Sequence, residues 1–85
     1  MSRFDAMQHF IRVADLGSFA AAADQLGVAR SVVTRRIAAL EEHLGVKLIT
    51  RTTRKLTLTS AGVVYLERCR RILQAIDDAE SEVMA

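Results

Sequence analysis

The chain contains no proline, no low-complexity linker and no internal repeat, so nothing in it marks a boundary between domains. It has one cysteine, Cys69, which excludes an internal disulfide and fits a reducing cytosol. Its two histidines, His9 and His43, stand far apart, and one cysteine does not complete a zinc site with them. No acidic, basic and nucleophilic side chains cluster as catalysis requires, so an enzyme is not expected. His9 lies among apolar positions, and His43 falls where its charge suits the end of a helix. No apolar run approaches the ~18 residues of a membrane span, and the start lacks a secretory signal pattern. These absences lead us to expect a soluble, cytoplasmic protein with no membrane partner, no metal and no cofactor.

What is present suffices for one packed domain. Of 85 residues 51% are hydrophobic and 26% charged, enough for a modest core and too balanced for disorder. The net charge of +2 is uninformative by itself, but its distribution is not. Residues 1–29 carry net −1 and residues 56–85 net −2. Between them Arg30, Arg35, Arg36, Lys47, Arg51, Arg54 and Lys55 face only Glu41 and Glu42, for +5. A cationic block of this kind suits a polyanion, although a solvated charged face would read the same way.

Four glycines (Gly17, Gly27, Gly45, Gly62) punctuate the chain. Ser2 can cap a first helix whose apolar stripe is Phe4, Met7, Ile11 and Ala14. Ser18 can cap a second, "SFAAAADQLG", which stops at Gly27 and whose alanines permit close approach to a neighbour. A third runs from about Arg30 to Leu44, with Val33, Ile37, Leu40 and Leu44 on its core face. Two short helices joined by a tight glycine-containing turn form the helix-turn-helix pattern. "KLITRTTRKLTLT" then alternates as a short hairpin with a basic tip. Thr59 can cap a last helix from Ser60 to about Met84, roughly 37 Å long. Leu66, Cys69, Leu73, Ile76 and Val83 give that helix an apolar seam, widened by Tyr65, Ile72 and Ala79. Such a seam either folds back on its own body or joins a second copy, and its extent favours the second copy.

On the third helix Arg30, Ser31, Thr34 and Arg35 share one face near the N-terminal end, the part that a recognition helix inserts into the major groove. Arginine matches guanine edges, and Ser and Thr can bond bases or phosphates. Arg36 points sideways, toward a phosphate. Val32 suits either a thymine methyl or the rim of the core. In the hairpin Arg54 and Lys55 would track the backbone or the minor groove. Arg51 either joins them or turns inward to pair with Glu41 or Glu42.

The stretch "GSFAAAADQLGVARSVVTRRIAALEEHLGVKLITRTTRKLTLTSAG" closely resembles the winged helix-turn-helix domain of LysR-type transcriptional regulators. The resemblance covers essentially the whole chain. It rests on the "SF..AA..L" helix, the "S/T-R-.-I..LE..LG" recognition helix and the "L..R..R...LT.AG" wing. It implies a mainly α fold with a β-hairpin wing and a long C-terminal linker helix. Residues 1–58 would form the DNA-binding domain and 59–85 the dimerisation helix. It implies a bacterial regulator that reads double-stranded operator DNA as a homodimer, with higher oligomers open to the full-length protein. Thr34 and Arg35 match the family's Ser-Arg pair, Arg54 its backbone-contacting wing arginine, and Thr59 to Gly62 its entry to the linker. Arg30 stands in place of the usual glutamine, which shifts the expected base from adenine toward guanine. Ala29 replaces the common cap serine, and Ser31 a frequent proline. The family's larger effector-binding domain, which senses a small molecule, is absent from this chain, so we expect a DNA-binding fragment. The rival reading is a helical dimerisation module whose basic face is incidental.

Overall fold

The computed structural model describes residues 2–52 and 55–84. Four helices and one hairpin follow in the order α1 (Arg3–Leu16), α2 (Phe19–Leu26), α3 (Arg30–Leu44), β1 (Ile49–Arg51), β2 (Leu56–Leu58) and α4 (Ser60–Val83). Local chemistry sets these limits. Ser2 accepts from the Asp5 amide at 3.1 Å and Ser18 from the Ala21 amide at 3.1 Å, each satisfying an N–H that the first helical turn leaves orphaned. At the α2–α3 turn Gly27 adopts φ 70°, a left-handed conformation that glycine enters without a Cβ clash.

The core lies where α1, α2 and α3 meet. Phe10, Val13, Ala22, Val33 and Leu48 are fully enclosed, with Ile37 and Leu40 beside them. On α1 the buried arc is Ala6, Met7, Phe10, Ile11 and Val13, wider than the stripe expected from spacing, because α2, α3 and α4 all pack on this helix. Phe4 sits at the edge of that arc and stays 38% exposed. Leu44, expected on the core face of α3, is 36% exposed because the chain leaves the body at Gly45.

The hairpin is antiparallel, pairing Ile49 with Leu58, Thr50 with Thr57 and Arg51 with Leu56. Strands of three residues are not stable alone, and the base of this hairpin is held by specific bonds. The carboxylate of Glu41, nearly buried, accepts from the Leu48 and Ile49 amides at 2.8 and 3.2 Å. Lys47 lies 3.6 Å from its other oxygen. Thr59 accepts from the Gly62 amide at 3.0 Å and donates its hydroxyl to Lys47 O at 2.6 Å. Its own amide donates to Leu48 O at 3.0 Å. Gly62 is therefore no punctuation mark. It is buried inside α4, where a Cβ would stand 2.1 Å from Leu48 O.

The first half of α4 belongs to the body. Cys69 is fully buried, and Tyr65, Leu66 and Leu73 pack against the core. The Tyr65 ring lies 5.7 Å from that of Phe10, tilted by 44°. Burial, followed by the neighbouring Cys69, pushes the Tyr65 phenol up to about 12, and burial also raises the Cys69 thiol. Arg70 reaches Asp15 near the end of α1 through both carboxylate oxygens, which raises the guanidinium further. Beyond Leu73 no described residue of α4 is buried, and the molecule extends 48 Å along its long axis. This corrects the expected seam: Leu66, Cys69 and Leu73 face their own protomer, because α1 and the hairpin base rise to meet that side of the helix. Ile76 and Val83 are exposed, at 37% and 85%, as are Val64 and Ile72.

Candidate nucleic-acid interface

Burial of Val33, Ile37 and Leu40 orients α3 and leaves its other side to solvent. Arg30, Ser31 and Arg35 are exposed on that side, and Thr34 is half-buried beside them. The Thr34 hydroxyl donates to Arg30 O at 3.1 Å, so its remaining capacity is to accept. Ala29 occupies the N-cap with φ −69° and ψ 146° but offers no side-chain bond to the first turn. The caps of α1, α2 and α4 all make one. Nor does Ser31 compensate, since α3 has no side-chain cap bond at all. The positive end of the helix dipole thus opens between Arg30 and Ser31, adding to their field. Val32 is half-buried, which leaves it at the rim of the core.

Arg36 departs from its expected place. It is half-buried, and its Nη1 donates to His9 Nε2 at 2.5 Å, drawing the guanidinium back toward α1. The His9 Nδ1 bonds to Asp5 O at 2.7 Å, which fixes the tautomer with the proton on Nδ1. His9 is therefore a buried strut between two helices, joined to the flank of the cationic face.

The hairpin projects beside α3. Lys55 is exposed at its tip, where its amide donates to Thr52 Oγ1 at 3.1 Å and the Thr52 amide to Lys55 O at 2.9 Å. Arg54, expected at the same tip, lies outside the described residues. Arg51 does turn toward the body, but not to an acid. Its guanidinium carbon stands 4.4 Å above the Phe19 ring, while Glu41 is engaged by the Leu48 and Ile49 amides. Alternation along β1 signals the inward turn of Arg51; nothing local in the sequence signals Phe19 as its target, because that contact spans the fold. Among the described residues no group of three His, Cys, Asp or Glu side chains is placed to hold a metal ion.

A helix-turn-helix followed by a two-stranded wing and extended by a long helix defines a winged helix-turn-helix module. The model of the family described as "Bacterial regulatory helix-turn-helix protein, lysR family" matches residues 4–63. The chain belongs to that family. An HTH-type transcriptional repressor of Pseudomonas aeruginosa is 47% identical over 81 residues, covering 95% of this chain and 26% of the relative. The HTH-type transcriptional regulator CrgA of Neisseria meningitidis is 50% identical over 76 residues, covering 89% and 25%. Among solved structures, the CbnR_DBD–DNA complex matches with TM-score 0.89 at 41% identity, covering 95% of this chain and 93% of that one. The complex of BenM_DBD with catB site 1 DNA matches with TM-score 0.90 at 30% identity, covering 95% and 91%. The chain spans about a quarter of the length of the curated relatives it matches.

Proposed function

We propose that this chain binds double-stranded operator DNA as the recognition part of a cytoplasmic bacterial transcription regulator. The α3 helix enters the major groove, with Arg30, Ser31, Thr34 and Arg35 toward base edges and the Ala29 end of the helix toward a phosphate. Lys55, with Arg54, follows the backbone from the wing. Arg36, drawn toward His9, contributes positive potential from the flank. The observation that carries this reading is the exposure of Arg30, Ser31 and Arg35 together, opposite the buried stripe of Val33, Ile37 and Leu40. The DNA complexes of CbnR_DBD and BenM_DBD support it.

The functional form is a homodimer joined through α4. The exposed Val64, Ile72, Ile76 and Val83 supply an apolar flank with no cover in the protomer. Residues 1–58 make the DNA contacts, and residues 59–85 link two copies. In the whole regulator, a small-molecule effector acts through a domain outside this chain.

Selection of binding sites from random duplexes, followed by titration against salt, tests the reading. Enriched sites should carry guanine opposite Arg30 in each half. A dimer making six to ten phosphate contacts should lose ~10³–10⁵ in affinity between 50 and 200 mM salt. Arg35→Ala should abolish preference for the selected site. Failure to enrich any sequence, or binding unchanged in Arg35→Ala, overturns the assignment.

A further inference from the structure

The base and the tip of the wing are held in different ways. At the base, Glu41 binds the Leu48 and Ile49 amides, and Thr59 bonds to Lys47 O and Leu48 O. These directional bonds pin one end of a hairpin whose strands are three residues long. Nearer the tip, the inner face presents one register pair, Arg51 and Leu56. Leu56 is half-buried, and an aliphatic contact is non-directional, so it lets the strand pivot. Arg51 instead lays its guanidinium over Phe19, 4.4 Å from the ring centroid. Phe19 begins α2 and is itself 6% exposed, so its ring is fixed by the core. Arg51 forms no ion pair among the described residues, which leaves its full charge for the ring face.

We infer that the Arg51–Phe19 stack is the second fixed point of the wing: Arg51 is a positioning residue that sets the angle of the hairpin against α3. It thereby holds Lys55 at the spacing from Arg30 and Arg35 that one duplex can meet. The inference rests on the DNA-binding reading above for its consequence, but not for its geometry. Arginine is required because a planar cation can lie flat on a ring, whereas lysine carries a compact ammonium on a flexible stem. Arg51 therefore acts through Phe19 and Lys55 rather than by reading the duplex.

The test compares Arg51→Lys, Arg51→Met, Phe19→Leu and Phe19→Tyr in two assays. In free protein, amide relaxation at Lys55 should report greater tip mobility in the first three variants and wild-type behaviour in Phe19→Tyr, which keeps the ring. On the selected duplex, Arg51→Lys and Arg51→Met should weaken binding by similar factors, roughly three- to thirtyfold. Phe19→Leu retains every cation, yet its slope of log affinity against log salt should fall by about one as Lys55 leaves its phosphate. The double variant of Phe19→Leu and Arg51→Met should bind no worse than the weaker single variant. If Phe19→Leu does not fold, Arg51→Lys, altered only at an exposed side chain, carries the decision. Unchanged mobility at Lys55 in Arg51→Lys overturns the strut whether or not the chain binds DNA. Wild-type affinity in Arg51→Lys, or additive losses in the double variant, assigns Arg51 to a direct phosphate contact and also overturns it. Normal tip mobility changes with no DNA binding by the wild type leave the strut standing and remove the function proposed above.

Discussion

Replacing Gly62 by alanine sets two effects of opposite sign against each other. In an ordinary mid-helix position alanine is better than glycine by about 0.5–1 kcal/mol, because glycine loses more backbone freedom on folding. Here the new Cβ would stand 2.1 Å from Leu48 O, 3.0 Å from Leu48 C and 3.3 Å from its Cα. All three are backbone atoms of a fully buried residue, so no side-chain rotation relieves the overlap. The helix must move away by more than about 1 Å to reach ordinary contact. That displacement strains packing worth about 1–3 kcal/mol. It also stretches the bond from the Thr59 amide to Leu48 O, now 3.0 Å long, whose net worth is about 0.5–1.5 kcal/mol. Allowing for the helix-propensity gain, Gly62→Ala should destabilise the fold by about 1–3 kcal/mol. Thermal unfolding followed by circular dichroism should show a midpoint lower by roughly 4–20 °C. Because the clash is with backbone, truncating the Leu48 side chain in a second variant should not restore stability. A Gly62→Ala midpoint equal to or above wild type would show that α4 does not approach Leu48 as described.

Tyr65 is the chain's single tyrosine and there is no tryptophan, so phenolate absorbance reports one group. It should titrate near 12 in the folded protein and near 10 once unfolded. Since the folded value is the higher one, the neutral phenol stabilises the fold below pH ~10, and that contribution is lost as pH rises toward 12. Tyr65→Phe should remove this alkaline component of the stability profile, and native titration near 10 would contradict the burial. Glu41→Ala should cost about 1–3 kcal/mol in urea unfolding, because the Leu48 and Ile49 amides lose their acceptor; Glu41→Gln, which keeps one carbonyl oxygen, should cost less, and wild-type stability in Glu41→Ala refutes the role given to the carboxylate. Ala29→Ser should raise stability by about 0.5–2 kcal/mol, since the N-cap backbone is already formed and only the hydroxyl is missing; an unchanged midpoint would show that the first turn of α3 has no unmet demand.

The cationic half of the candidate interface was legible in one dimension because helical periodicity ties spacing to direction. Once Val33, Ile37 and Leu40 are assigned to the core, Arg30, Ser31 and Arg35 have nowhere to point but outward. The bond between Arg36 and His9 has no signature in the local sequence, because His9 is contributed by another helix. The cover of Leu66, Cys69 and Leu73 on α4 was illegible for a related reason. Periodicity reveals that Leu66, Cys69 and Leu73 want cover, but is silent on whether cover comes from α1 and the hairpin or from a second copy.

Helix limits, the tight turn between α2 and α3, the hairpin and the outward set of arginines follow from local chemistry: caps, a left-handed glycine, hydrophobic spacing and strand alternation act within a few residues. The tertiary structure alone decided the enclosure of Glu41, the fit of Gly62 against Leu48, the stacking of Arg51 on Phe19 and the division of α4 into a packed half and a projecting one. Those features depend on where distant segments meet, and proximity across a fold is a consequence of packing all elements at once rather than of any one stretch of chain.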